Sequence, residues 1–280
     1  MRRQPLMQGR LCFLAVFLSL ALLAYILLPG LRRRLGHQGT GSTKPVTNST
    51  LLTLDLGPGA GRVTLFIREA APSNAKGEVL LLHGAAFTSQ TWQELGTMHV
   101  LANNSFRAVA LDLPGGQGGR AEGGLECECG GDMAERSQAC GYGNSPRMPA
   151  VNTDELKASL LLEVFKALRM EHPILISPSM SGRFSLPYLM SRGQRLRAFI
   201  PIAPVHTAKY KSNEYEKIQT PTFIVYGGLD TNLGVQSLQR LILLPNHRVL
   251  ELPQAGHSAY KDQPHLFHQG LLDFLLSLPK

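Results

Sequence analysis

Cysteine is scarce in this chain, and none of it lies where a disulfide framework could support a core. Of the 4 cysteines in 280 residues, Cys12 sits in an apolar run near the N-terminus, while Cys127, Cys129 and Cys140 crowd one Gly- and Glu-rich segment. The fold must then rest on core burial, for which one domain of this length and 44% apolar composition suffices. Metal chemistry is disfavoured too: two close thiols and a distant third lack a fourth ligand, and no H-E-x-x-H is present. Gly57, Gly59 and Gly61 hint at a phosphate loop, but they precede a strand-like run and no Lys-Ser/Thr follows. Paired carboxylates of the glycosidase kind are missing as well. No cofactor and no metal are expected.

An excess of charge spread over the chain is also lacking, despite a formal net charge of +8. Arg2, Arg3, Arg10, Arg32, Arg33 and Arg34 all flank one apolar run, which leaves residues 37–280 with 22 basic against 20 acidic side chains. A nearly neutral domain has no footprint for phosphate backbones, so nucleic-acid binding is set aside. The run itself, residues 11–28, holds no charged residue. As a helix it would be about 27 Å long, close to the thickness of a bilayer's hydrocarbon core. Its length and its end at Pro29-Gly30 favour an uncleaved signal anchor over a cleaved signal peptide. Arginines on both sides leave the orientation undecided by the positive-inside rule. Two sequons, at Asn48 and Asn103, would carry glycans only if the folded domain were lumenal or extracellular.

After a tail (1–10), the anchor and a Gly/Ser/Thr/Pro-rich linker (29–50), the folded domain is expected to span 51–280. Short apolar runs recur there: Arg62 to Ile67, Val79 to Leu82, Ala108 to Leu111, Ile174 to Ile176, Phe199 to Ile202, Phe223 to Tyr226 and Val249 to Leu252. They read as buried strands. Segments between them, such as Asp154 to Met170, space Leu and Val as helices do. This βαβ alternation predicts an α/β fold with a doubly wound, mostly parallel sheet.

The most informative stretch is Ile174 to Gly182, where an apolar strand runs into small residues and then a helical pattern. A nucleophile held on a strained strand-to-helix turn needs small residues two before and two after it. Ser179 has Ser177 and Ser181 there; Ser177 would have Leu175, and Ser181 would have Arg183. Only Ser179 fits. A serine hydroxyl is a poor nucleophile until a positioned imidazole takes its proton, so partners are required. Asp230 follows the strand ending at Gly227-Gly228-Leu229, and His257 follows the next strand in Ala255-Gly256-His257. Both fall beyond carboxyl ends of strands, where parallel sheets present their sites. Serine, aspartate and histidine as catalytic residues in that chain order separate this triad from those of chymotrypsin and subtilisin.

An oxyanion hole needs two backbone N–H groups, one normally from the residue after the nucleophile, here Met180. The other is assigned to Ala85, in the loop after the strand that ends in His83-Gly84. His83 reads as a residue that orders this loop rather than a second base, and the remaining histidines have no catalytic context. Asp112 belongs to the turn after its strand, and Glu251 alternates outward on an edge strand.

His83-Gly84, the Ser-x-Ser-x-Ser elbow, Pro201 to Pro204, Tyr226 to Asp230, Leu244 to His247 and Ala255 to His257 together resemble the α/β-hydrolase superfamily. Within it they resemble the α/β-hydrolase domain-containing 14 family. The resemblance covers about residues 60–280; between Pro204 and Pro221 there is room only for a short helix where many such hydrolases carry a large lid, so a minimal lid is expected, and the N-terminal anchor favours the family's membrane-bound, type II form. Residues 116–141 depart from it, with neither helical nor strand period. Joining Gly115 to Tyr142 gives L-D-L-P-G-Y-G-N-S, similar to a turn common in such hydrolases, so 116–141 reads as a disordered insertion. The expected activity is hydrolysis of an ester-like, short-acyl substrate, free or protein-linked, through an acyl-enzyme. An acyltransferase with the same triad, and a non-catalytic binding or signalling protein on this fold, are the alternatives. Expected contacts are the acyl substrate and, through residues 11–28, a bilayer; oligomeric state is open.

Overall fold

The computed structural model describes residues 47–57, 61–114, 138–139, 142–146, 148–149 and 151–279. The expected tail and anchor, most of the linker and most of 116–141 lie outside these residues. Among the described residues no helix is long and apolar enough to cross a membrane.

Ten strands are described: β1 (Thr47–Asp55), β2 (Arg62–Ala70), β3 (Gly77–Leu81), β4 (Phe106–Leu111), β5 (Gln138–Ala139), β6 (Met148–Pro149), β7 (Ile174–Pro178), β8 (Ala198–Ile202), β9 (Thr222–Gly227) and β10 (His247–Leu252). Eight form one sheet in the order β1-β2-β4-β3-β7-β8-β9-β10, while β5 and β6 pair with each other. From β4 to β10 all pairings are parallel; β1 with β2 and β2 with β4 are antiparallel. Each expected run lies in a strand, except that Leu82 falls just past the end of β3. Two readings are corrected. The last four linker residues belong to β1, which starts at Thr47, and Gln138–Ala139 within the insertion pair with Met148–Pro149. β1 was hidden because an edge strand with one partner buries little, and its pattern is mostly exposed.

The helices are α1 (Ser89–Glu94), α2 (Thr97–Asn103), α3 (Asp154–Ala167), α4 (Gly182–Arg192), α5 (Ser212–Tyr215), α6 (Leu233–Leu241), α7 (Ala259–Asp262) and α8 (Pro264–Ser277). Strand alternation sends successive side chains to opposite faces, and two apolar layers result. Leu80, Val109, Leu175, Phe199 and Ile224 pack with Leu161, Val164 and Phe165 of α3 and with Phe184 of α4. Their neighbours Leu81, Ala108, Ala110, Ile176, Ile200 and Val225 pack with Trp92, Met98 and Leu101 of α1 and α2 and with Phe267, Leu271 and Phe274 of α8. Central strands buried on both faces are why these runs are continuously apolar. At the capped starts, Thr88 accepts the Gln90 N–H and Thr153 accepts the Leu156 N–H. The carboxyl ends of β3, β4, β7, β9 and β10 therefore share one edge of a rigid slab.

Candidate active site

The turn from β7 into α4 holds a strained residue at that edge. Ser179 has φ of 49°, in the left-handed region that a serine enters only under constraint. Ser179 is half-buried, and its Oγ lies 2.8 Å from His257 Nε2. His257 Nδ1 lies 2.7 Å from Asp230 Oδ2. The structure thus brings into one hydrogen-bonded chain three residues separated by 51 and 27 positions in sequence. With Nδ1–H donating to the carboxylate, Nε2 is left to accept the serine hydroxyl.

Glycines make the two partner loops possible. A side chain at Gly227 would collide with the carbonyls of Ala255 and Gly256, so the loop after β9 can touch the loop after β10 only without one. At Gly234 a Cβ would stand 2.9 Å from that of Asp230, and a backbone hydrogen bond from Gly234 reaches the carboxylate. Burial of Asp230 opposes its charge. Hydrogen bonds from His257, Gly234 and Asn232 outweigh that penalty and hold the carboxyl below the usual carboxylate range. The acid side chain is 6% exposed and the imidazole 41%, so the chain of groups runs from a buried anchor to an open mouth.

The loop after β3 closes against the elbow, since a Cβ on Gly84 would stand 3.6 Å from that of Ser179. His83 is fully buried: its Nδ1 meets the Gly84 carbonyl at 2.8 Å, and its Nε2 accepts the Leu113 N–H at 3.0 Å. One proton on Nδ1 satisfies both contacts. Burial pushes the pKa of His83 down, against the Gly84 hydrogen bond and the Asp112 charge, so the ring is a neutral loop brace with no nitrogen left over for catalysis. Asp112, also buried, accepts the N–H groups of Ser89 at 2.6 Å and Asn144 at 2.8 Å, outside the Ser179 chain. Glu251 is exposed on the edge strand and accepts the Tyr226 hydroxyl.

Among the described residues little covers this edge. Between β8 and β9 the chain makes only a single 3-10 turn (Thr207–Lys209) and the four-residue α5. These are tied down by Tyr215 to the Thr207 carbonyl and by Lys209 and Tyr210 to Asp154. Among the described residues no group of three or more His, Cys, Asp or Glu side chains is arranged to hold a metal ion.

Protein ABHD14A of Danio rerio is 40% identical to this chain, with 97% of this chain and 98% of that protein covered. The chain belongs to the ABHD14 family. The resemblance carried by the motifs extends through the N-terminal region as well. A human ABHD14 relative, named "Putative protein-lysine deacylase ABHD14B", is 42% identical over 76% of this chain and 91% of its own length. Carboxylesterase CesB of Bacillus subtilis superposes with a TM-score of 0.61 at 17% identity, over 83% of this chain and 93% of that one. That likeness shows the α/β-hydrolase fold. No family model matches the chain. This ABHD14 chain is accordingly an α/β-hydrolase.

Sequence reasoning missed three contributors to the ABHD14 site. Ser185 hydrogen-bonds Ser177 behind the elbow, Val205 N–H holds the Ser179 carbonyl at 3.0 Å, and Gly234 backs Asp230. Ser185 had a signal, for it follows Ser181 by four residues at helical spacing. The Val205 contact joins two loops through backbone atoms and has none.

Proposed function

We propose that this protein is a membrane-anchored serine hydrolase that removes short acyl groups through an acyl-enzyme. The hydrogen-bonded chain Ser179–His257–Asp230 carries the reading. His257 Nε2 takes the Ser179 proton as Oγ attacks the acyl carbonyl, and the N–H groups of Met180 and Ala85 receive the developing oxyanion. His257 then gives that proton to the leaving alcohol or amine, and acyl-Ser179 remains. Water, deprotonated by the same imidazole, attacks the acyl carbon; the acid leaves and the proton returns to Ser179. Asp230 keeps the imidazole in the productive tautomer and stabilises its charged form.

The short lid and the exposed imidazole suit an acyl group presented on a protein side chain better than a long lipid chain. The name of the human relative points the same way, toward acyl-lysine, where the leaving group is an amine. The same open mouth would admit an alcohol or thiol acceptor in place of water, which is the acyltransferase reading. Residues 11–28 would anchor the chain as a single-pass type II protein with the domain on the lumenal or extracellular side. Asn48 and Asn103 are both exposed and available to glycosylation on that side.

Fluorophosphonate labelling of the purified protein tests the core of this reading. Label should enter wild type and be lost completely in Ser179→Ala but not in Ser177→Ala. A folded wild type that takes no label would hand the site to the binding-protein alternative. Acyl-lysine peptides and short-chain esters, each with and without an added thiol, then separate hydrolase from transferase. Resistance to carbonate extraction, with a glycosidase-sensitive mass shift removed by Asn48→Gln and Asn103→Gln, tests the anchor and its orientation.

A further inference from the structure

The serines either side of Ser179 sit where this kind of elbow needs small residues, and glycine would satisfy that need. Here they carry hydroxyls, and the hydroxyls are organised. Ser177, Ser181 and Ser185 are all fully buried. Ser177 Oγ donates to Ser185 Oγ at 2.6 Å and lies 3.0 Å from Ser181 Oγ. Ser181 Oγ donates to the carbonyl of Pro178 at 2.7 Å. That last bond spans the nucleophile, running from the residue two after it to the residue one before it.

Its position relative to the strained backbone is what gives it a task. The φ and ψ of Ser179 are the rotations between two peptide planes, Pro178–Ser179 and Ser179–Met180. The second plane is held at its carbonyl by the Val205 N–H at 3.0 Å. Because a trans peptide points its C=O and N–H in opposite directions, this bond also aims the Met180 N–H away from Val205. Gly182 allows the contact: a Cβ there would stand 2.5 Å from the Val205 carbonyl oxygen. The first plane is held at its carbonyl by Ser181. With both planes pinned, a φ of 49° has nowhere to relax, and Oγ stays 2.8 Å from His257.

We propose that Ser181 is a positioning residue, whose hydroxyl locks the Pro178–Ser179 peptide plane and so holds Ser179 in register with His257. Ser177 Oγ, with its own proton given to Ser185, lies 3.0 Å from Ser181 Oγ and leaves the Ser181 proton to the Pro178 carbonyl. The inference rests on Ser179 being the nucleophile. It assigns the Ser-x-Ser-x-Ser pattern a role of its own rather than that of a sterically tolerated substitute for glycine.

Ser181→Gly and Ser181→Ala both remove the hydroxyl, and both put a smaller residue in the site, so folding is expected to survive. At a temperature where circular dichroism shows each variant fully folded, the fluorophosphonate labelling rate should fall roughly 10- to 100-fold, the penalty of a displaced reacting group. Labelling should still run to completion, since the side chains of Ser179, His257 and Asp230 are all retained. Ser185→Ala, which leaves the bond to Pro178 in place, should label within about threefold of wild type. A merely structural role predicts a lower melting temperature with an unchanged rate per folded molecule; that result overturns the proposal.

A crystal structure of Ser181→Gly decides the matter without any activity. Ser179 φ should shift and Oγ should leave hydrogen-bond distance of His257, beyond about 3.2 Å. An unmoved Ser179 in that structure also overturns the proposal. Should wild type take no label, the serine-hydrolase reading fails, while the crystal structure still decides whether Ser181 holds the turn. If Ser181→Gly does not fold, Ser181→Ala serves for both measurements.

Discussion

Two turns at the carboxyl edge of the sheet solve the same problem with opposite tolerance. The turn after β7 runs without interruption from Ser177 to Ser181 and holds its strained residue, Ser179, at the centre. The turn after β4 closes from Leu113 to Tyr142, whose N–H reaches the Leu113 carbonyl at 3.0 Å, although residues 114–141 intervene in sequence. Its ends are pinned from beneath: Asp112 accepts Asn144 N–H, Ser145 Oγ donates to the Asp112 carbonyl at 2.8 Å, and Phe66 N–H donates to Ser145 Oγ at 2.8 Å. The first turn has its chemistry in the turning residue and can admit no extra chain. The second is held by hydrogen bonds at its flanks, which meet although a long stretch of sequence separates them. His83 couples the two, bracing the Gly84 loop beside Ser179 while accepting the Leu113 N–H.

The comparison breaks most sharply at the imidazole's anchor. Asp230→Asn should reduce the labelling rate on the order of 10³–10⁴-fold, because the amide favours the wrong imidazole tautomer, while far-UV circular dichroism stays unchanged. A loss under tenfold would show that the elbow works without its third member. At the other turn the cost should fall on stability instead. Asp112→Ala strands the buried N–H group of Ser89 and removes the partner of the part-buried Asn144 N–H, for a loss on the order of 1–3 kcal/mol in urea unfolding. Molecules that remain folded should label at close to the wild-type rate. If labelling collapses while stability holds, Asp112 belongs to the chemistry and the division between the turns is wrong.

Sequence legibility followed the same division. Ser179 could be chosen over Ser177 and Ser181 because a strained elbow imposes a local steric rule, readable from neighbours two positions away. Asp230 and His257 followed because each lies just past a strand whose apolar run is evident. What stayed hidden was contact without a side-chain signature. The Val205 N–H on Ser179, the hydroxyl chain through Ser185 and the start of β1 at Thr47 depend on which segments the sheet order makes neighbours. Six of the eight strands in the main sheet were legible since burial on one or both faces marks them, and β10 was legible by its apolar run Val249 to Leu252 although, like β1, it is a mostly exposed edge strand.

A smaller effect tests the brace between the turns. The folded-state pKa of His83 lies below its unfolded value near 6.5, so the unfolded chain binds its proton more readily. Stability should therefore be full above that value and fall as pH drops below it, until the folded-state pKa is also passed. His206 and His268 are shifted in the same direction, so among the described residues these two rings share the wild-type slope with His83. His83→Gln, compared with wild type in melting temperature from pH 8 to pH 5, should be less stable at neutral pH and shallower in its decline. An equal slope in both proteins would mean that His83 is not titrating against a buried neutral state.

The smallest effect should come from the largest alteration. Deleting residues 116–141 and joining Gly115 to Tyr142 makes Leu113-Pro114-Gly115-Tyr142 four consecutive residues, and the bond from Tyr142 N–H to the Leu113 carbonyl then becomes the first-to-fourth bond of a β-turn. Pro and Gly at its two central places are the residues a type II turn demands, proline for its fixed φ and glycine for the positive φ that follows. Shortening the connection removes loop-closure entropy of at most about 2 kcal/mol, in the stabilising direction. The pairing of Gln138–Ala139 with Met148–Pro149 is lost, but two residues of edge pairing contribute little. The deleted protein should label within about twofold of wild type and melt at the same temperature or slightly higher. If it unfolds, or folds and does not label, the intervening segment supplies part of the site, and the turn after β4 is as intolerant as the elbow.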